Sequence, residues 1–167
     1  SPYREIPVDV VGQDAHQELS LLASRKSMTL LKNDNNTLPF PKGLKVAIIG
    51  PSVNRSDDLI GKNAGPICPD GTLSCYQGLV QAVRDLNEGG EVRFYEDVNI
   101  SGPAIDLAMW ADLVILAPAD DAGREGHDRY TISLNETQSQ LCLEVINAVA
   151  TKKPVVVVLI NGGTVSI

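Results

Sequence analysis

The chain has 167 residues, of which 43% are apolar, and a formal net charge of -7. This length and apolar content are those of a soluble globular domain with a real core. The acidic balance leaves no basic stripe to neutralise phosphates, which argues against nucleic acid as a partner. The longest apolar run, Val155–Ile160, is far shorter than the ~20 residues that cross a bilayer, and no targeting segment opens the chain. Because the chain begins with Ser1 and not Met, we expect a processed or excised piece.

The first part of the chain divides into an arm, a helix and a strand. Residues 1–13 contain proline and show no helical period, which predicts a linker or arm. Asp14, with Gln17 three positions later, is typical of a capping box that starts a helix. The apolar face of this helix is predicted to carry Leu19, Leu22, Ala23 and Leu30. Lys45–Ile49 is a β-branched run closed by Gly50-Pro51, which predicts a buried strand.

The rest of the chain alternates between strand and helix signals. Further strands are predicted at Val92–Tyr95, Leu113–Ala117 and Val155–Ile160. Three helices are predicted between these strands. The first starts from a Thr72 cap and has Tyr76, Leu79, Val80 and Val83 on its apolar face. The second covers Ile105–Trp110, with Pro103 in its first turn, and the third starts from a capping box of Asn135 and Gln138 and has Leu141, Val145 and Val149 on its apolar face.

Strands without strict alternation, separated by helices, indicate a mostly parallel sheet with helices on both faces. The predicted fold is therefore a three-layer α/β/α sandwich. Ligands of open sheets of this kind bind at the carboxyl ends of the strands. That rule directs attention to the segments after Ile49, Ala117 and Ile160.

Two features concern the cellular compartment. Four Asn-x-Ser/Thr acceptor triplets, where chance would supply roughly one, begin at Asn35, Asn54, Asn99 and Asn135. Cys68 and Cys75 bound a short loop rich in proline and glycine, which favours a small disulfide in an oxidising compartment. The alternative is that both are free thiols, like Cys142 in its apolar helix pattern. We expect a glycoprotein of the secretory pathway that is secreted or resides in a lysosome or vacuole.

The densest polar chemistry follows the third predicted strand. The charged or titratable side chains of this segment are Asp120, Asp121, Arg124, Glu125, His127, Asp128 and Arg129. A carboxylic acid kept neutral by partial burial and like-charge neighbours can protonate a leaving group, and Gly126 beside Glu125 would let a substrate approach closely. Asp128 and Arg129 could pair with each other or with Arg124 and fix the loop. The alternative is a solvated charge cluster held by ion pairs.

No motif in the chain predicts a cofactor or a metal. The pair Gly61-Lys62 lacks the first glycine and the Ser/Thr of a phosphate loop, and Gly50 lacks the later glycines of the dinucleotide fingerprint. The Gly-x-Ser-x-Gly pattern of a nucleophile elbow is absent. Neither His16 nor His127 has a second ligand at metal spacing, so His127 is predicted to form hydrogen bonds within its loop.

Several short motifs occur in order along the chain. They are Leu30-Leu31-Lys32-Asn33, Leu38-Pro39-Phe40, Val46–Pro51, Gly78-Leu79, Ala111–Ile115, Glu125–Arg129, Gln138 and Val155–Gly163. In this order and approximate spacing they resemble the C-terminal α/β sandwich domain of glycoside hydrolase family 3. The resemblance covers about residues 13–167, and we assign residues 14–167 to this domain. Its most specific part is the Glu-Gly-x-Asp-Arg motif that follows an Ala-Asp strand.

The resemblance implies a retaining, exo-acting β-glycosidase of the β-xylosidase or β-glucosidase type, which acts on the terminal sugar of an oligosaccharide or other β-glycoside. In such enzymes the nucleophile is an Asp of an N-terminal barrel domain, which this chain does not contain. The acid/base in many members is a Glu of the sandwich domain, and Glu125 stands in the matching position. A retaining mechanism needs these two carboxyl groups about 5–5.5 Å apart. The barrel is therefore the expected partner, and the isolated chain is expected to be inactive.

The same resemblance implies supporting roles for residues around Glu125. Arg124 and Tyr130 are expected to bind substrate, with Tyr130 as the best-placed aromatic platform for a sugar. Asp128 and Arg129 are expected to support the loop.

This chain departs from the family pattern in two places. Xylosidase-like members often carry two glutamates in this loop, and the upstream position is Gly123 here. The chain also stops soon after Asn161-Gly162-Gly163, so we expect a domain truncated at its C-terminus. Gly123 and the absent barrel favour an alternative of a different class, a non-catalytic scaffold or carbohydrate-contacting domain. A flavodoxin-like binding domain unrelated to sugars is a third interpretation, against which the missing phosphate loop argues.

Overall fold

The structure is a computed structural model that describes residues 2–54, 77–119 and 129–166. The chain forms two compact units, Ser1–Leu38 and Pro39–Ile167, which are described in turn. The predicted Cys68–Cys75 disulfide and the predicted helix cap Thr72 lie outside the described residues.

The first unit contains one α-helix and three short 3-10 helices. The α-helix, α1, spans Asp14–Ser27, and the 3-10 helices are Pro2–Glu5, Val8–Val10 and Asp34–Asn36. The predicted capping box is wrong, because the N-cap residue is Gln13 and Asp14 already lies inside the helix. The Gln17 amide donates instead to the carbonyl oxygen of Gly12, at 2.8 Å. Among the described residues, no side chain caps the N–H groups of the first turn of α1.

The apolar side chains of α1 are exposed. No residue of the helix is buried, and Leu19 and Leu22 of the predicted apolar face are in contact with solvent. Leu30 lies beyond the end of the helix at Ser27, so it is not part of that face. The assignment of residues 1–13 as a linker or arm stays a prediction.

Four parallel strands form the sheet of the second unit. They are β1 (Lys45–Ile49), β2 (Glu91–Tyr95), β3 (Leu113–Leu116) and β4 (Val155–Val157), and their order is β2-β1-β3-β4. The third and fourth strands are shorter than predicted, and an isolated parallel bridge between Ala119 and Ile160 continues their pairing. Pro118 interrupts the ladder there, because proline has no N–H to donate.

Three helices connect these strands. They are α2 (Leu79–Leu86), α3 (Ser101–Trp110) and α4 (Glu136–Val149). The extended backbone of Gly78 makes it the N-cap of α2, so this helix begins later than predicted. Pro103 lies in the first turn of α3 as predicted. The predicted N-cap of α4 is confirmed, because the Asn135 side chain accepts a hydrogen bond of 2.9 Å from the Thr137 N–H.

Apolar side chains cover both faces of the sheet. On one face, strand residues Val46, Ile48, Val92, Leu113 and Ile115 form a buried cluster with Val80 and Val83 of α2. On the other face, Ala47, Ile49, Val114 and Leu116 pack with Ala104 and Ala108 of α3 and with Leu141, Val145 and Val149 of α4. Successive strand residues point to opposite faces, so β3 and the part of β1 after Lys45 are apolar throughout. The predicted three-layer α/β/α sandwich is confirmed.

Gly50 lies where the carboxyl ends of β1 and β3 approach each other. A Cβ atom built on Gly50 would overlap the backbone carbonyl of Ala117. The backbone of Ala117 is itself fixed, because its N–H donates to the carbonyl oxygen of Ile49 at 2.7 Å. On the other side, the Gly50 N–H donates to the carbonyl oxygen of Tyr95 at 3.0 Å. A residue without a side chain therefore allows β1 to end between β2 and β3.

We expect Gly50→Ala to lower the free energy of unfolding by about 1–3 kcal/mol, because the added methyl group must push apart paired backbones. Gly102→Ala is the matched control. A Cβ atom at Gly102, in the first turn of α3, meets nothing within 4 Å. Alanine is expected to stabilise that helical position by up to about 1 kcal/mol. Denaturant unfolding measures both variants, and equal stabilities would contradict a tight approach at Gly50.

The amino end of β1 is held by Asn87, which is only 2% exposed. Its Oδ1 accepts from the Leu44 N–H at 3.1 Å, and its Nδ2 donates to the Leu44 carbonyl oxygen at 2.8 Å. That carbonyl also accepts from the Glu91 N–H at 3.0 Å. One side-chain amide thus satisfies both backbone polar groups of the residue before β1. We call such an arrangement an amide clamp.

Asn87→Leu removes this amide clamp while keeping the same branched arrangement of side-chain heavy atoms. The change leaves the Leu44 N–H without its acceptor, and we expect a loss of about 1–3 kcal/mol in the free energy of unfolding. Asn147→Leu, at an exposed position of α4, is the control and should change stability by less than about 0.5 kcal/mol. Thermal or denaturant unfolding compares the two, and a neutral Asn87→Leu variant would show that the clamp contributes nothing.

Candidate functional site

The order of the strands reverses between β1 and β3. From β1 the chain passes through α2 to β2 on one side, and from β2 through α3 to β3 on the other side of β1. In open α/β sheets, ligands bind outside the carboxyl ends of the strands at such a switch point. The chain leaves β3 here, passes Ala119 and enters residues 120–128, which carry the predicted Glu125. The candidate site therefore begins at the switch point of the sheet.

Ala119 is held by a second amide clamp, formed by Gln138 of α4. The Ala119 N–H donates to Oε1 of Gln138, and Nε2 of Gln138 donates to the Ala119 carbonyl oxygen, both at 3.0 Å. Both residues are buried. The predicted capping-box role of Gln138 toward Asn135 is therefore wrong, because the amide is used by the backbone of Ala119. Residue spacing gave only the local capping signal, which did not reveal this contact.

On the far side of residues 120–128, the chain runs beside the segment that follows β4. The guanidinium of Arg129 donates through Nη2 to the Thr164 carbonyl oxygen at 2.6 Å. The Ser166 N–H donates to the Ile132 carbonyl oxygen at 2.7 Å, and Ser133 and Ser166 form an isolated parallel bridge. Both ends of the Glu125 segment are thus attached to the carboxyl edge of the sheet, through Ala119 and through Arg129.

Most of the predicted site residues lie outside the described residues. These are Glu125, Arg124, His127 and Asp128, and their roles stay predictions. Arg129 and Tyr130 are described. The contact of Arg129 with Thr164 is compatible with the predicted support of the loop, and the Tyr130 side chain is fully exposed, as a platform for a ligand would require.

The side chain of Trp110 is another large aromatic group of the described residues. It is partly buried and packs against the core at the end of α3. The Arg93 guanidinium lies 4.2 Å from its ring centroid, which is a cation–π distance. Because α3 ends just before β3 begins, Trp110 lies at the amino edge of the sheet, away from the switch point. We assign it to the core.

The asparagines of all four acceptor triplets are exposed. They are Asn35, Asn54, Asn99 and Asn135. Two of the triplets adjoin helix starts, since Asn99 precedes α3 and Asn135 caps α4. Cys142 of α4 is a half-buried free thiol, and burial raises its pKa above the usual value. Cys68 and Cys75 lie outside the described residues, so their pairing stays a prediction.

A shallow cleft of about 450 Å³ lies between the beginnings of α3 and α4. Asn99, Ser101, Glu136 and Glu144 are among its lining residues. A hydrogen bond from Ser101, with a second from Gln140, holds the pKa of Glu144 below its ordinary value. The Glu144 carboxyl is therefore suited to stay ionised and not to donate a proton at neutral pH.

The described part of the chain contains no group of three or more His, Cys, Asp or Glu side chains arranged to hold a metal ion. Of the described helices, none has the length and apolar character needed to span a membrane.

Residues 28–167 match the sequence profile of the glycosyl hydrolase family 3 C-terminal domain. The chain belongs to this family. Among curated relatives, β-D-xylosidase 3 of Arabidopsis thaliana is 38% identical over an alignment of 161 residues that covers 94% of this chain and 20% of the relative. The probable β-D-xylosidase 7 of the same plant is 38% identical over 176 residues, covering 99% of this chain and 22% of the relative. The chain thus spans about a fifth of the length of these relatives.

Solved structures of the same family share the fold. A family 3 exo-β-xylosidase in complex with a xylobiose aziridine probe matches with a TM-score of 0.74 and 28% identity, over 99% of this chain and 21% of that chain. The family 3 β-glucosidase of Bifidobacterium adolescentis matches with a TM-score of 0.67 and 30% identity, over 92% of this chain and 23% of that chain. The chain is therefore a domain of the β-xylosidase and β-glucosidase family of glycoside hydrolases.

Proposed function

We propose that the chain is the second domain of a retaining, exo-acting β-glycosidase and supplies Glu125 as the general acid/base. The observation that carries the proposal is the position of the Glu-Gly-x-Asp-Arg motif in a family 3 domain. The motif follows Ala119, at the switch point of the sheet, and ends at Arg129, which contacts the segment after β4. Open α/β sheets bind their ligands at this edge, which supports a role for the carboxyl group carried by this segment.

The proposed reaction needs a second carboxyl group from a partner domain. We place the nucleophilic Asp on an N-terminal barrel of the same parent protein, and the greater length of the relatives leaves room for one. Glu125 would protonate the glycosidic oxygen while the Asp carboxylate bonds to the anomeric carbon. Glu125 would then take a proton from the water whose oxygen displaces the Asp. The names of the relatives favour a terminal β-linked xylose as the substrate, with glucose as the alternative.

Glu125→Gln tests this role in a longer protein in which the barrel domain precedes this chain. We expect kcat/KM on an unactivated β-xyloside to fall roughly 10²- to 10⁴-fold, because glutamine cannot protonate the leaving group. The loss should be smaller for an aryl glycoside whose leaving group needs no proton. In Glu125→Ala, added azide should restore turnover of that aryl glycoside and yield a β-glycosyl azide.

Glu136→Gln, at an exposed position in the first turn of α4, is the control and should leave the rates unchanged. Comparing β-xyloside with β-glucoside in the wild type identifies the preferred sugar. Unchanged turnover in Glu125→Gln would assign the chemistry to another carboxylate. Binding of a β-linked disaccharide by the longer wild-type protein without hydrolysis would favour the alternative function, a carbohydrate-contacting scaffold.

We further propose that the chain passes through the secretory pathway and carries N-linked glycans. The exposure of Asn35, Asn54, Asn99 and Asn135 supports this, because the transferase must reach each side chain.

Expression in a secreting eukaryotic cell should give a product whose mass falls on deglycosylation, and loss of each used triplet should remove one glycan. At Asn135 the informative variant is Thr137→Ala, because the helix cap uses the backbone N–H of Thr137 and survives the change. Asn33→Gln, outside any triplet, should leave the glycan mass unchanged. A secreted product without glycans would contradict the proposal.

A further inference from the structure

The backbone of β3 alternates between its two neighbours. The Ala117 N–H donates to the Ile49 carbonyl oxygen of β1 at 2.7 Å. The carbonyl oxygens of Leu116 and Pro118 accept from Val158 at 2.8 Å and from Ile160 at 3.3 Å, on the side of β4. Ala119, two residues after Ala117, therefore directs its N–H and carbonyl groups toward the side of β1.

Strand β1 offers no partner at that level. It ends at Ile49, and the chain turns away through residues 50–54. Ala119 is nevertheless buried, and buried backbone N–H and C=O groups are almost always paired. The Gln138 amide carries one donor and one acceptor, as a peptide group does, and bonds to both groups of Ala119. Gln138 thus takes the place of the strand residue that β1 lacks.

We infer that Gln138 is a positioning residue for the Glu125 segment. Its amide clamp extends the fixed part of β3 to Ala119 and sets the place and direction in which the backbone leaves the sheet. At the other end of the segment, the guanidinium of Arg129 holds the backbone by its hydrogen bond to the Thr164 carbonyl oxygen. The inference rests on the proposed role of Glu125 and adds to it that Gln138 places this carboxyl group without touching the substrate.

The contact itself is tested in the 167-residue chain. Gln138→Met keeps the length of the side chain and removes both hydrogen bonds, and Asn87→Leu is the matched control, with the other amide clamp removed at the opposite edge of the sheet. Hydrogen exchange followed by NMR should show the Ala119 amide exchanging at least roughly 10-fold faster in Gln138→Met, with Leu44 unchanged, since a lost partner opens local exchange. Asn87→Leu should show the reverse. Undiminished protection of Ala119 in Gln138→Met would overturn the inference.

The function of the clamp is tested in the longer protein with its barrel domain. A misplaced general acid matters most when the leaving group needs a proton, so Gln138→Met should lower kcat/KM roughly 10- to 100-fold on a poor leaving group. The loss on an activated aryl glycoside should be clearly smaller. Asn87→Leu lacks the other amide clamp and is destabilised in a similar way. It should change kcat/KM by the same factor on both substrates. If Gln138 has only a structural role, Gln138→Met will likewise lower kcat/KM equally on both substrates, and this result would overturn the inference.

The two proposals fail in distinguishable ways. If Glu125→Gln slows turnover but Gln138→Met keeps the wild-type ratio between the two substrates, the positioning role is wrong and the proposed function stands. If Glu125→Gln leaves turnover unchanged, the proposed function is wrong and the positioning role falls with it, whatever the exchange of Ala119 shows.

Discussion

In the parallel sheet, every buried backbone N–H and C=O group needs a hydrogen-bond partner, and the architecture depends on this need. It applies also to the residues just beyond the ends of the paired strands. The backbone of a strand in the middle of a sheet needs hydrogen-bond partners on both sides, and the two neighbouring strands rarely end at the same level. β1 and β3 are the two central strands, and each meets this problem at one end. The two buried polar side chains of the described residues, Asn87 and Gln138, solve it at opposite edges of the sheet.

The close contact at Gly50 creates the second of these problems. Because Gly50 lets β1 end tightly between its neighbours, the ladder between β1 and β3 stops at Ala117. The backbone of β3 continues toward the candidate site with one more residue to satisfy. The switch point, where the sheet leaves room for a ligand, is therefore also where β3 loses its neighbour. From the first turn of α4, Gln138 supplies Ala119 with the hydrogen bonds that a neighbouring strand would otherwise provide, and the sheet can remain open at this point.

The sequence predicted the layers of the fold because its strongest signals are local. Lys45–Ile49 is a β-branched run bounded by a charged residue and a glycine, and the strand occupies those same residues. The ends of the other elements were less well predicted, because pairing and not propensity ends them. Val155–Ile160 has one strand-like composition, yet regular pairing covers only Val155–Val157 before the ladder reaches Pro118.

Residues of the candidate site could be predicted only where a short sequence motif marks them, and not where their role depends on a contact between distant parts of the chain. A glutamine three positions after a helix cap satisfies the capping-box rule, so local spacing alone assigned Gln138 to Asn135. The real partner, Ala119, is nineteen positions away in sequence, and its need for hydrogen bonds arises only when β1 has ended. Glu125 stands out by the motif around it, and its role stays a prediction because residues 120–128 lie outside the described structure.

The chemistry of the clamp also explains why its residue type is restricted. The partner groups on Ala119 belong to the backbone, so no second substitution can remove both of them and make an apolar replacement of Gln138 harmless. An ionised glutamate could accept from the Ala119 N–H but could not donate to its carbonyl, and it would bury a charge. Asparagine has the right groups on a shorter side chain and serves at Leu44, where Asn87 follows directly on the end of α2. The proposed general acid Glu125 would have to be held closely in its working position, and the amide of Gln138 fixes the backbone at Ala119, where the sheet no longer does.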